Sequence, residues 1–179
     1  MLQLFGFDRI GVVVGDLYFV DPSPNPGQEG AERGVRVEVR FLDRRDLPGS
    51  IYSAQPITVG LPIWRADLLE SVEGPFGSFD RTHHHPAFRA WEPGHRVFDD
   101  TMSADPIEYV GARLRDIAGL CEGAGLDPAL VPEGDAVELR RAVPDIQAAI
   151  RRLLADIADG HLAQAPSAEP LTSARAGWL

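Results

Sequence analysis

The sequence predicts an α+β fold: a mostly antiparallel sheet in the N-terminal half, with two or three C-terminal helices packed on one face. Two observations carry this. Extended, β-branched or alternating segments occupy residues 1–100, and segments with helical periodicity and helix boundary signals occupy 105–161.

The first strand is "IGVVVGDLYFV" (10–20), β-branched and aromatic, with a possible bend at Gly15. "DPSPNPGQEGAERG" (21–34) has three prolines, three glycines and no large apolar residue, so it reads as a loop. A connection of that length in a compact domain is mobile or functional. In "VRVEVRF" (35–41), Val35, Val37, Val39 and Phe41 alternate with Arg36, Glu38 and Arg40, the pattern of a half-buried strand. The charged face of that strand is expected toward solvent. After a turn at "DRRDLPGS", Ile57, Val59, Leu61 and Ile63 share one parity. Pro56 and Pro62 place this strand at an edge or beside a bulge. Unbroken parity would aim Arg65 and Asp67 at the apolar face, so a bulge near Pro62 is the expectation.

The first helix starts at Asp105 as N-cap, with Pro106 at the first position and Glu108 completing a capping box. Its apolar stripe is Ile107, Val110, Leu114, Ile117 and Cys121, which makes Cys121 a buried thiol, and Gly123 and Gly125 end it. A short helix is expected from near Asp135. A longer one follows, from near Pro144 to Gly160, with Ile146, Ile150, Leu153, Leu154 and Ile157 buried. Residues 1–162 thus read as a single α+β domain. Residues 163–179, rich in Pro, Ala and Ser, read as a flexible tail whose Trp178 and Leu179 dock on this domain or on a protein partner.

Composition narrows the function. A net charge of −10 argues against broad nucleic-acid binding and against an anionic membrane surface. All 17 basic residues are arginine, which excludes a Schiff-base lysine and a phosphate loop of the Gly-Lys-Ser type. One cysteine excludes an intramolecular disulfide and a cysteine-built zinc cage. The N-terminal stretch has no basic leader, and Asp8, Arg9 and Asp16 interrupt its apolar run, so the expected location is the cytoplasm. No serine lies in a nucleophile elbow, and no Gly-x-Gly-x-x-Gly follows a strand.

Chemistry concentrates in "FDRTHHHPAFRAWEPGHRVFDD" (79–100), which holds four of the five histidines. Imidazole titrates near neutrality, and its neutral form is the commonest metal ligand. On an extended segment His83 and His85 share a face and His84 points away. Three readings stand side by side. In the first, His83 and His85 bind a divalent metal ion with Glu92, His95 or Asp99 completing the set, a donor group suited to zinc, iron, manganese or nickel. In the second, His83, His85 or His95 acts as acid or base, oriented by Asp80, Asp99 or Asp100, while Arg81, Arg89 or Arg96 binds an anionic small molecule. In the third, the histidines are structural, with Phe88, Trp91 and Phe98 burying the segment. Trp91 serves equally as one wall of a ligand pocket.

Gly77, five residues, and then His83-His84-His85 resembles the opening of the cupin metal motif, Gly-x5-His-x-His. That motif places a glutamate four or five residues after the second histidine, where this chain has Arg89 and Ala90. Its distant second histidine could only be His161. The chain is therefore not assigned to that family.

One inference depends on pairing. If "PIWRADLLES" and "GSFDRTHHHP" form a hairpin, a suitable register sets Arg65 and Asp67 beside His83 and His85. The resulting expectation is a small enzyme performing metal-assisted or histidine acid–base hydrolysis, with His83, His85, His95 and Asp99 catalytic. Arg65, Arg81, Arg96 and Trp91 would bind substrate, and His83, His85, Glu92 and His95 are the candidate metal ligands. The alternative is a non-catalytic interaction module whose acidic surface and tail bind a protein partner. An enzyme requires the histidines to converge on an open cleft, whereas a module leaves them buried and satisfied.

Overall fold

The computed structural model describes residues 1–177, so Trp178 and Leu179 lie outside the described residues. The fold is α+β. Strands β1 (Leu2–Gly6), β2 (Ile10–Val20), β3 (Ala31–Arg44), β4 (Ile57–Ser71) and β5 (His83–His85) form one antiparallel sheet in chain order. A small hairpin of β6 (Phe88–Arg89) and β7 (Glu92–Pro93) follows β5. Then come α1 (Asp100–Ala104), α2 (Pro106–Arg115), α3 (Ile117–Gly123) and α4 (Glu133–Ala158), and finally β8 (Ala174–Gly177), which pairs with the second half of β2. None of these helices is long and apolar enough to cross a membrane.

The alternation in the strands gives the sheet two unlike faces. Val12, Val14, Val35, Val37, Val39, Trp64, Ala66 and Leu68 form one side of the core, with Val110, Leu114, Leu139, Ile146 and Ile150 of the helices opposite. Asp135, in the first turn of α4, fixes the helix to the sheet. Its carboxylate accepts hydrogen bonds from the backbone N–H of Asp8 (3.2 Å), Arg9 (2.7 Å) and Ile10 (3.1 Å). Asp135→Ala strips all three donors of their acceptor and should lower stability by about 2 kcal/mol, measurable by urea unfolding at pH 7.

Several expectations from the sequence are corrected. Residues 133–158 form one continuous helix, not two. Pro144 removes a single intrahelical hydrogen bond, and the buried stripe of Leu139, Val143, Ile146 and Ile150 runs through it without interruption. Conversely, the expected helix from 105 is broken at Asp116, whose side chain accepts from the N–H of Gly119 (3.0 Å) and caps α3. Asp105 caps α2 as expected, accepting from the N–H of Glu108 (3.1 Å). The segment read as a mobile tail carries β8. There Gly177 meets the backbone carbonyl of Asp16 so closely that any Cβ would collide with it.

The expected bulge exists. Val39 pairs with Trp64 but Arg40 pairs with Pro62, leaving Ile63 as the extra residue. Ile63 and Trp64 are therefore both buried, and the parity beyond them is reset. The main correction concerns the charged face of β3. Arg36 and Glu38 are buried, because the polypeptide after β5 folds across that side of the sheet.

Candidate functional site

The hairpin register brings two rungs of polar side chains side by side. Arg36 of β3 stands opposite Asp67 of β4, which stands opposite His83 of β5. One step along, Glu38 stands opposite Arg65, which stands opposite His85. Opposite charges directly across an antiparallel pair support one another. Asp67 is the hub. Arg36 donates to it in a fork, Nε to Oδ1 at 2.6 Å and Nη2 to Oδ2 at 3.2 Å. Burial works against its ionisation, but the Arg36 and Arg65 guanidiniums outweigh that and hold its carboxyl well below the usual range.

The histidine tautomers follow from their backbone partners. His83 Nδ1 lies 2.8 Å from the Arg81 carbonyl and His85 Nδ1 lies 2.8 Å from the Gly94 carbonyl. A carbonyl only accepts, so each Nδ1 carries the proton. Burial pushes both imidazoles below their ordinary range, His85 to about 3, more than the Asp67 carboxylate restores. Both rings are therefore neutral at pH 7, and each Nε2 is a bare lone pair. Those lone pairs face the Asp67 Oδ2 at 3.5 and 3.7 Å. With the rings neutral these contacts are not ion pairs. Three acceptor atoms lie within 4.8 Å of one another.

A cleft of about 660 Å³ opens onto this group, a volume suited to a small organic ligand. Phe19, Leu69 and Phe98 supply apolar wall, while Asp21, Glu32 and Arg175 add charge. The proline-rich loop serves the site as well. Its Asp21 and Gln28 accept from the two terminal nitrogens of Arg96, at 3.2 and 3.0 Å. Glu32, buried in the same cleft, has its carboxyl raised to about 7, because desolvation exceeds the effect of Arg96 and Arg81. Its Oε2 has no hydrogen-bond partner.

The residues singled out in the sequence divide into three groups. His83, His85 and Arg65 converge at the base of the cleft. Trp91, Glu92, His95 and Arg96 line it nearer the mouth, with Trp91, Glu92 and His95 exposed, so Glu92 and His95 are not part of the ligand-spaced group. Arg81 and Asp99 lie outside it. Arg81 faces Glu32 (3.9 Å) and Asp80 (3.5 Å) and contributes its carbonyl to His83. Asp99 caps α1, accepting from the N–H (2.8 Å) and hydroxyl (2.5 Å) of Thr101, so its carboxylate is spent on the helix. His84, on the helix face, accepts from the indole N–H of Trp64 (3.3 Å) and is structural. The conditional hairpin register that sets Arg65 and Asp67 beside His85 and His83 is the one observed, but Asp67 was not counted among the ligands. Arg36 and Glu32 were missed, although charges of alternating sign on two neighbouring strands and a His-x-His on a third were a usable signal. Compared with family models, curated proteins and solved structures, the chain matches none.

Proposed function

We propose that this chain is a cytoplasmic enzyme that holds a divalent metal ion on Asp67, His83 and His85 and hydrolyses an anionic small molecule in the adjoining cleft. The observation that carries the reading is the meeting of two imidazole lone pairs and a carboxylate oxygen, all acceptors, at one point. The Arg36 guanidinium already offsets the carboxylate, and a cation placed among the three atoms would in addition draw on both imidazole lone pairs. The Nδ1–H bonds to backbone carbonyls are the outer contacts that orient metal-binding histidines. Two nitrogens and one oxygen leave further coordination positions toward the cleft, as a catalytic site needs.

Such an ion lowers the pKa of bound water and polarises the bond to be cleaved. Hydrolysis would consume one water: its oxygen bonds to the electrophilic centre and sheds one proton to solvent, the bond to the leaving group breaks, and the departing atom takes up a proton from an acid that solvent then reprotonates. Glu32, a buried acid that still holds a proton near neutrality, can supply that proton. The test is a titration of chelator-treated, untagged protein with Zn²⁺, Mn²⁺ and Fe²⁺. One site per chain is expected, weakened by about 100-fold or more in the His83→Ala/His85→Ala double variant. Absence of saturable binding of all three ions to the wild type sinks the metal reading. A metal-free acid–base site is the second reading, favoured by the hold that Arg36 already has on both Asp67 oxygens.

A further inference from the structure

The cleft continues into a smaller chamber of about 340 Å³ that shares Arg36, Arg65, Trp91, Glu92 and Arg175 with the first. Arg40 and Glu38 are its remaining charged groups, so four guanidiniums face two carboxylates there. Glu38 is buried, and its two oxygens are divided between Arg40 (3.4 Å) and Arg65 (3.6 Å). Arg65 Nε lies 3.2 Å from Asp67 Oδ2, but the N–H is not directed at that oxygen, and this buried donor is left without a hydrogen-bond partner. An unmade charged hydrogen bond in a largely buried position is costly, and a bound acceptor relieves it.

Arg175 reaches the same chamber from β8, where it pairs across from Phe19 of β2. The backbone register, fixed by the close approach of Gly177 to Asp16, sets its position. Arg40 lies over the Trp91 ring at 5.2 Å, so its guanidinium stands at the chamber wall.

We propose that this smaller chamber is the oxyanion-binding end of the substrate site and takes an anion with several accepting oxygens, such as the phosphate of a phosphate monoester, held by Arg40, Arg65 and Arg175. Arg36 is spent on Asp67, so three guanidiniums face Glu38 and Glu92 and the chamber keeps a net positive charge that an oxyanion offsets. Guanidinium forks match a phosphate's oxygens in pairs. The inference rests on reading the cleft as a substrate site, and it names the substrate class.

The experiment is a calorimetric titration of the full, chelator-treated chain with inorganic phosphate at pH 7.5 and low salt, repeated with acetate and with the Arg175→Ala variant. Arg175 is exposed, and its removal leaves the buried pairs in place. Saturable phosphate binding is expected, at least tenfold weaker in Arg175→Ala, with acetate at least tenfold weaker than phosphate. No saturable phosphate binding, equal affinity in the variant, or acetate bound as tightly as phosphate each overturns the proposal. Because the protein is metal-free here, loss of the metal reading and loss of this one are separate results.

Discussion

Asp67→Asn should lower folding stability at pH 7 by about 3–5 kcal/mol, although the two side chains have almost the same shape. The carboxylate is 1% exposed and receives a forked pair of hydrogen bonds from Arg36, itself 7% exposed. The amide leaves no cavity, but it removes the counter-charge and turns one accepting oxygen into a donor facing an Arg36 N–H, so the loss reports on charge and hydrogen bonding rather than on packing. Arg36 then stays buried beside a neutral group, with Glu38 as its remaining nearby anion. Glu38 is already divided between Arg40 and Arg65. The pH dependence gives a second readout. Because the carboxyl of Asp67 is depressed in the folded state, its stabilisation is complete above the ordinary carboxylate range and drains away as pH falls below it. The difference between wild type and variant should therefore be full at pH 6–8 and shrink on acidification below about pH 4. Urea unfolding across that range measures it. A loss under 1 kcal/mol at pH 7 would mean that the arginines find solvent or other partners, and that Asp67 is not the hub of the cluster.

The strands at 10–20 and 35–41 were legible because alternation is a local property, whereas β1 (Leu2–Gly6) and the start of β3 at Ala31, inside the segment read as a loop, were not. Val35, Val37 and Val39 identify a buried face whatever the rest of the chain does, and the start signal at Asp105 needs only its own neighbours. What alternation cannot say is where the other face goes. Arg36 and Glu38 read as solvent-facing because most strands with that pattern cover a core on one side only. Their burial depends on residues 86–98 crossing over them, a tertiary fact. The histidine site was half legible for the same reason. His83 and His85 announce themselves by type and by a period of two. Asp67 could be chosen only once the register of β4 against β5 was known, and that register depends on the turn at 72–82 and on the bulge at Ile63. Asp99 misled because an aspartate two residues before a threonine suits a helix cap as well as it suits a catalytic carboxylate. Pro144 misled because a proline is a strong stop signal locally, while continuous burial on both sides keeps the helix going.

Glu32→Gln should stabilise the protein at pH 8 by about 3 kcal/mol and leave it nearly unchanged at pH 4. The carboxyl is raised from its ordinary value to about 7, mainly by burial. Arg96 and Arg81 pull it down, and Asp67 and Asp21 push it back up. Between the ordinary carboxylate value and about 7 the folded state holds a proton that the unfolded state has released. Stability therefore falls as pH rises through that interval, and the full penalty persists above it. Glutamine, neutral and of the same size, carries no such penalty. The two unfolding curves should coincide at low pH and separate steadily from pH 5 to pH 7, and parallel curves would show that Glu32 ionises normally. Glu32 sits in the cleft beside the histidine pair, with one oxygen unpartnered and a proton still available near pH 7. Aspartate or glutamate at a sheet surface would have met water instead, so the cost follows from its place on the inward face of β3.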